Sequence, residues 1–142
     1  MLVSDILNHK GREVLTVSPE DTLEAVVALL TRRRIGAVLV TEGQHIAGIV
    51  SERDIVRCIA AHGAGGLARK AGEAMTREVM TCSEDDRIEE IMARMTEGRF
   101  RHMPVLNAGR LVGIVSIGDV VKARLEQYER DTQALREYIA TA

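Results

Sequence analysis

In the first half of the chain, apolar positions fall at helical spacing twice: Leu23, Val26, Val27 and Leu30, then Ile55, Val56, Ile59 and Ala60. Each set gives a helix one apolar face. Between them, the apolar runs Gly36 to Thr41 and Ile46 to Val50 flank Glu42-Gly43-Gln44, the pattern of a hairpin. A short β-prone run, Glu13 to Val17, precedes Ser18-Pro19-Glu20-Asp21, which supplies a helix start with Ser18 at the cap. The predicted order is strand, helix, strand, strand, helix. It returns as strand Val79 to Cys82, a helix from Ser83, strand Met103 to Leu106, a turn at Asn107 to Gly109, strand Leu111 to Val115 and a helix from Ser116. Leu2 to Leu7 and Ala71 to Met75 are expected to be short helices leading into each half.

The two halves are copies. A shift of 65 residues lays Gly48-Ile49-Val50-Ser51 on Gly113-Ile114-Val115-Ser116 and Asp54 on Asp119, with Thr16 on Thr81 and Arg34 on Arg99. The expected division is a first repeat at 1–62, a glycine-rich, flexible linker at 63–70, a second repeat at 71–126 and a helical extension at 127–142. Burial on folding is marginal for units of about 60 residues, so the two are expected to share one core, with function in the seam. In the extension, Val121, Leu125, Tyr128, Thr132, Leu135 and Ile139 alternate at spacings of four and three, a helix-pairing stripe.

Composition narrows the function. A net charge of −2 gives no global attraction to nucleic acid, and Phe100, Tyr128 and Tyr138 are the only aromatic residues. That leaves no platform on which bases could stack. Cys58 and Cys82 lack metal or redox spacing and are expected to be reduced core thiols. No window approaches the ~18 apolar residues of a membrane span, so a cytoplasmic protein is expected. His9, His45, His62 and His102 show no ligand spacing, so no metal site is expected. Met75, Met80, Met92, Met95 and Met103 fit gap-filling in a core.

The repeated Gly-Ile-Val-Ser-x-x-Asp stands where a strand passes into a helix. Ser51 and Ser116 would lie at helix N-termini, which favour an anionic group such as phosphate. Asp54 and Asp119, one turn on, could accept hydrogen bonds from the vicinal hydroxyls of a ribose. The glycines would let a ligand approach the backbone. The same Ser-x-x-Asp spacing equally describes a capping box that only closes the helix end, and both readings stand at this point. No nucleophile, base and orienting partner form a catalytic set, so a binding protein is expected in preference to a nucleotide hydrolase. A ligand-free adaptor that joins chains through its C-terminal helix is the other alternative.

The segments IGAVLVTEGQHIAGIVSERDIVR and FRHMPVLNAGRLVGIVSIGDVVK both closely resemble the CBS domain, and the tandem resembles a Bateman module covering nearly the whole chain. The resemblance implies an α/β (α+β) fold of two βαββα repeats packed as a pseudo-two-fold pair, plus the C-terminal helix. It implies a regulatory, signal-transducing and energy-sensing function: adenosine-containing ligands (AMP, ADP, ATP or NAD(H)) bind in clefts between the repeats and modulate a partner protein. No catalytic cofactor is implied, and homodimers are expected through the modules and the C-terminal helix. By position, Asp54 and Asp119 would bind ribose hydroxyls, and Ser51 and Ser116 phosphate or ribose. Thr16 and Thr81 would border the nucleoside, Arg101 and His102 would reach phosphates, and Met103 and Pro104 would wall the base. The first repeat has Gly36-Ala37-Val38-Leu39 where the second has Arg101-His102-Met103-Pro104. Two unequal sites are therefore expected, the one at Asp119 being the better suited to a mononucleotide.

Overall fold

The computed structural model describes residues 1–141. The chain divides into two compact units, Val14–Val79 and Met1–Glu13 together with Met80–Ala142. The packing units thus cut across the sequence repeats, because each lead-in helix packs with the strands of the other repeat.

In the unit Val14–Val79, the parallel strand β1 (Thr16–Val17) pairs with β2 (Ala37–Glu42), which forms a hairpin with β3 (His45–Ser51). Helices α2 (Leu23–Arg33) and α3 (Glu52–His62) follow β1 and β3. The apolar face predicted for α2 is buried at Leu23, Val26 and Leu30, where it packs with Val38, Val40, Val50 and Ile55. The glycine run expected to be a flexible linker is instead a 3₁₀ segment, Gly63–Ala68, before α4 (Ala71–Ala74). Local bonds hold it: Arg69 donates its N–H to Gly66 O at 3.1 Å, and Cys58 Sγ lies 3.7 Å from the same oxygen.

The other unit repeats the plan. It begins with α1 (Val3–Lys10) and continues with β4 (Cys82–Ser83), α5 (Ile88–Gly98), β5 (His102–Asn107), β6 (Arg110–Ser116) and α6 (Ile117–Thr141). Even the irregularities are copied. A register shift between Val40 and Thr41 recurs between Val105 and Leu106, and α2 and α5 both end on a left-handed arginine, Arg34 and Arg99. The core here is Val3, Leu7, Ile88, Ile91, Met103, Val105, Val115 and Val120 with their neighbours. The buried apolar side chains form two clusters, one per unit, where the sequence suggested one core.

Two helix starts differ from expectation. Ser18 and Ser83 do not cap α2 and α5, which begin four residues or more later, after Thr22 and Arg87. Each serine instead opens a turn closed by its own aspartate: Ser18 N–H donates to Asp21 Oδ2 at 2.9 Å and Ser83 N–H to Asp86 Oδ2 at 2.8 Å. Thr22 is the true cap of α2, accepting the Ala25 N–H. The predicted extension 127–142 is no separate element as far as Thr141, because α6 runs unbroken from Ile117.

Candidate functional site

Sheet topology gathers the candidate residues at one end of each sheet. In the second repeat, β4 runs parallel to β5 and β6 antiparallel to it. The start of β4, the start of β5 and the end of β6 therefore share an edge. Thr81 immediately precedes β4, Arg101 and His102 stand at the start of β5, and Ser116, paired with His102, ends β6. Ile117 donates its N–H to Arg101 O at 2.8 Å, which ties the first turn of α6 to that edge. The first repeat does the same with Glu52 N–H and Gly36 O. Thr16, Ser51 and Asp54 occupy the corresponding edge there, since Thr16 pairs with Leu39 and Ser51 with Ala37.

Both aspartates act as helix caps. Ser51 N–H donates to Asp54 Oδ2 at 2.8 Å and Ser116 N–H to Asp119 Oδ2 at 2.9 Å, and each serine Oγ accepts the aspartate's own N–H in return. The signal overlooked in the sequence is that Ser-x-x-Asp occurs four times, at Ser18, Ser51, Ser83 and Ser116. All four make the same bond from serine amide to aspartate Oδ2, at 2.8 to 2.9 Å. The motif as such is a backbone device. What separates Asp54 and Asp119 from the other two is the further partner each acquires.

Those partners come from the lead-in segments and differ in charge. Asp54 is 5 % exposed. Its Oδ2 also accepts the Ser51 hydroxyl, while Oδ1 accepts the Thr76 hydroxyl at 2.9 Å and lies 3.5 Å from Arg57 Nη1. Asp119 is more open, with its side chain 24 % exposed. Lys10 Nζ, from the end of α1, donates to Asp119 Oδ2 at 2.7 Å and to Ile114 O at 3.0 Å. Burial pushes the Asp119 carboxyl up, but the Lys10 hydrogen bond, the Ser116 amide and the Lys10 charge outweigh it and hold its pKa below the ordinary value. The group is therefore an anion at neutral pH, with Oδ1 outside these bonds.

The glycines before each serine do not open the backbone to a ligand, as had been expected. A Cβ on Gly48 would stand 2.6 Å from Met75 Sδ and 2.7 Å from Thr76 O, and one on Gly113 would stand 2.6 Å from Leu7 Cδ2. The lead-in segments occupy that space. Met103 is wholly buried in the core of its unit, so it has no surface to offer a base, and Pro104 is buried beside it. Thr81 is half-buried, and its carbonyl accepts from Arg94. Arg101 and Thr16 are exposed, and His102 is half-buried. Cys58 is half-exposed, not a core thiol, whereas Cys82 is buried and its thiol is pushed up to about 12, chiefly by burial.

A separate apolar cleft of about 430 Å³ opens on the helical side of the first repeat. Val27, Leu30, Ile35, Ile55 and Val56 line it, with Arg34 and Glu52 among its polar groups. No described helix is long and apolar enough to cross a membrane.

Comparison with known proteins agrees with this architecture. The family model for the CBS domain matches twice, at residues 3–61 and 71–126. The chain is 34 % identical over 146 residues to the mitochondrial CBS domain-containing protein CBSX3 of Arabidopsis thaliana, covering 96 % of this chain and 71 % of the relative. A crystal structure of a CBS-domain containing protein from Agrobacterium tumefaciens superposes with a TM-score of 0.85 at 45 % identity, covering 87 % of this chain and 99 % of that one. A CBS domain protein from Pyrobaculum aerophilum, solved in complex with AMP, superposes with a TM-score of 0.73 at 27 % identity, covering 84 % and 89 % of the two chains.

Proposed function

Because this chain belongs to the CBS domain family, with two matched copies across most of its length, we propose that it is a regulatory module that binds an adenosine-containing nucleotide and passes that state to a partner protein. The observation that carries this reading is the Ser116–Asp119 junction. There an ionised, partly exposed carboxylate stands at a helix N-terminus, one strand end away from the exposed cation of Arg101. A ribose hydroxyl can donate to Asp119 Oδ1 while Oδ2 keeps its cap. A phosphate is served by the start of α6 and by Arg101. Thr81 and His102 border the same sheet edge, with Pro104 buried behind it in β5. AMP is the ligand this reading favours first, since the Pyrobaculum relative was solved with it. ATP and NAD(H) share the adenosine portion and stand next.

The Asp54 site ranks second. Its carboxylate is buried with both oxygens engaged, and no basic residue precedes Ala37 as Arg101 precedes His102. Thr16 and Ser51 complete that weaker site. Binding, and not catalysis, is the proposed activity, with no catalytic cofactor. Two free thiols suit a reducing compartment such as the cytoplasm. Exposed Val56 beside the apolar cleft and the exposed apolar residues of α6 support a homodimer.

The same serine-amide-to-aspartate bond at all four Ser-x-x-Asp strings favours a second reading, a ligand-free adaptor in which these aspartates only satisfy the backbone. Calorimetry separates the two. AMP, ADP, ATP, NAD and NADH are titrated into the protein and into Asp119→Ala. Heat from at least one wild-type titration, weakened more than tenfold in the variant, supports nucleotide binding at Asp119. Silence from all five at millimolar concentration leaves the adaptor.

A further inference from the structure

Among the described residues, the apolar side chains of the α6 stripe are left uncovered. Val121, Leu125, Tyr128, Leu135 and Ile139 are all exposed, Tyr128 to 70 %. From residue 129 to Thr141 every described side chain is exposed except half-buried Thr132. A helix of 25 residues is about 37 Å long, so its last turns stand free of the core that holds Val120 and Ala123.

The charges beside the stripe say what covers it. With Leu125, Thr132 and Ile139 at one seam position and Val121, Tyr128 and Leu135 at the other, one flank carries Lys122, Glu129 and Arg136 and the other carries Arg124, Asp131 and Tyr138. When two such helices run parallel and in register, each residue of the second flank meets the first-flank residue five places further along its neighbour. Arg124 then faces the second copy's Glu129, and Asp131 faces the second copy's Arg136. Both pairs are attractive, and each occurs twice by symmetry. Antiparallel packing of the same stripe sets Asp131 against Asp131, Glu129 against Glu129 and Lys122 against Arg136, all repulsive. Arg124 has Glu89 and Gln127 as neighbours in its own chain, whereas no ion pair to Glu129, Asp131 or Arg136 is present among the described residues. Thr132, in the middle of the seam, adds register, because a shifted pairing buries its hydroxyl against a leucine.

We infer that α6 pairs in parallel and in register with α6 of a second copy of this chain. The inference rests on the homodimer reading above and specifies its geometry. The stripe spans fewer than three heptads, so it steers and reinforces an association instead of holding it alone. The direction matters for signalling, since parallel pairing sets the two Asp119 junctions at the same end of one two-helix stem.

Disulfide trapping in the full chain tests it, in a Cys58→Ser background that leaves only buried Cys82. Leu135→Cys and Ile139→Cys are oxidised separately, and Leu125→Cys is oxidised mixed with Leu135→Cys. Parallel pairing cross-links each single variant to itself. Antiparallel pairing places the two 139 positions about 27 Å apart and cross-links the 125 and 135 variants to each other. Asp131→Arg should weaken the dimer about tenfold by sedimentation, with recovery when Arg136→Asp is added. Self-linking at both 135 and 139 together with that recovery supports the inference. A dimer by mass that links 125 to 135, or links nowhere on α6, overturns the pairing and leaves the dimer. A monomer at 100 µM overturns both.

Discussion

Replacing Asp54 by alanine should destabilise the protein more than replacing Asp119, although the two hold the same place in the repeat. At Asp54, alanine removes the cap, which alone costs about 1 kcal/mol. It also takes the acceptor from the half-buried Ser51 hydroxyl and from the exposed Thr76 hydroxyl, at about 1 kcal/mol for the first and less for the second, which can return to water. The sum is about 2–3 kcal/mol. At Asp119 the cap is again lost, but the second partner is the Lys10 ammonium, whose side chain is 34 % exposed and can return to water. Such a pair contributes about 1 kcal/mol at most, so the total is about 1–2 kcal/mol. The difference of ~1 kcal/mol is a factor of about 5 in the folding equilibrium. Urea titration followed by far-ultraviolet circular dichroism measures it, a suitable probe for a chain without tryptophan. Asp54→Asn sharpens the test. Its amide oxygen can take the Ser51 N–H and its NH₂ can donate to Thr76 Oγ1, so it should cost only about 1 kcal/mol. Equal losses in Asp54→Ala and Asp119→Ala, or an Asp54→Asn loss as large as that of Asp54→Ala, would refute the reasoning.

Three further outcomes follow from the same contacts. Gly48→Ala should cost more than Gly113→Ala, because the first meets the Thr76 carbonyl as well as a side chain and the second meets the end of Leu7; overpacking of the second kind costs about 1–3 kcal/mol, and thermal melts rank the two. Lys10→Met should lower stability at pH 7, by an amount that shrinks as pH falls below the ordinary carboxylate range and leaves only the Lys10 bond to Ile114 O. The Asp119 pKa is depressed in the folded state, so its contribution is present above the unfolded value and is lost as pH falls through the folded one; a gap between the two proteins that is the same at pH 7 and pH 2 argues against the pair. Iodoacetamide should label native protein once, at Cys58, and reach Cys82 only after unfolding, since the buried thiol is held at about 12; mass spectrometry of the peptides shows which thiol reacted.

The repeat was the most legible feature of the sequence, because a 65-residue shift superposes whole strings. The hairpins followed from it, although β3 and β6 run one residue further than expected, into Ser51 and Ser116 themselves. Helix starts were less legible at Ser18 and Ser83. There a Ser-x-x-Asp turn satisfies its own backbone without a helix behind it, and the Thr22 cap of α2 with the burial of Leu23 and Ile88 fixes where α2 and α5 begin. The partners of Asp54 and Asp119 were not legible at all. Thr76 lies 22 residues from Asp54, and Lys10 lies 109 from Asp119. Nothing in local pattern says that a lead-in helix packs on the strands of the other repeat.

That exchange bears on the choice between capping and ligand binding. A carboxylate that only satisfied a serine amide would need one oxygen, as at Asp21 and Asp86, where it closes a turn. At Asp54 and Asp119 the amide bond instead fixes the carboxyl group in place, so that whatever approaches the junction meets an acceptor of set direction. In the first repeat a neutral hydroxyl and a buried setting consume that acceptor. In the second, a lysine balances the charge on one oxygen while the group stays a quarter exposed. Capping is therefore the means by which a binding carboxylate would be held, and the two readings compete only at Asp54, where no acceptor is left over. A nucleotide that stabilises the protein through Asp119 and not through Asp54 would follow from this asymmetry: at a hundred times its dissociation constant the gain is about 2.7 kcal/mol, retained in Asp54→Asn and lost in Asp119→Ala.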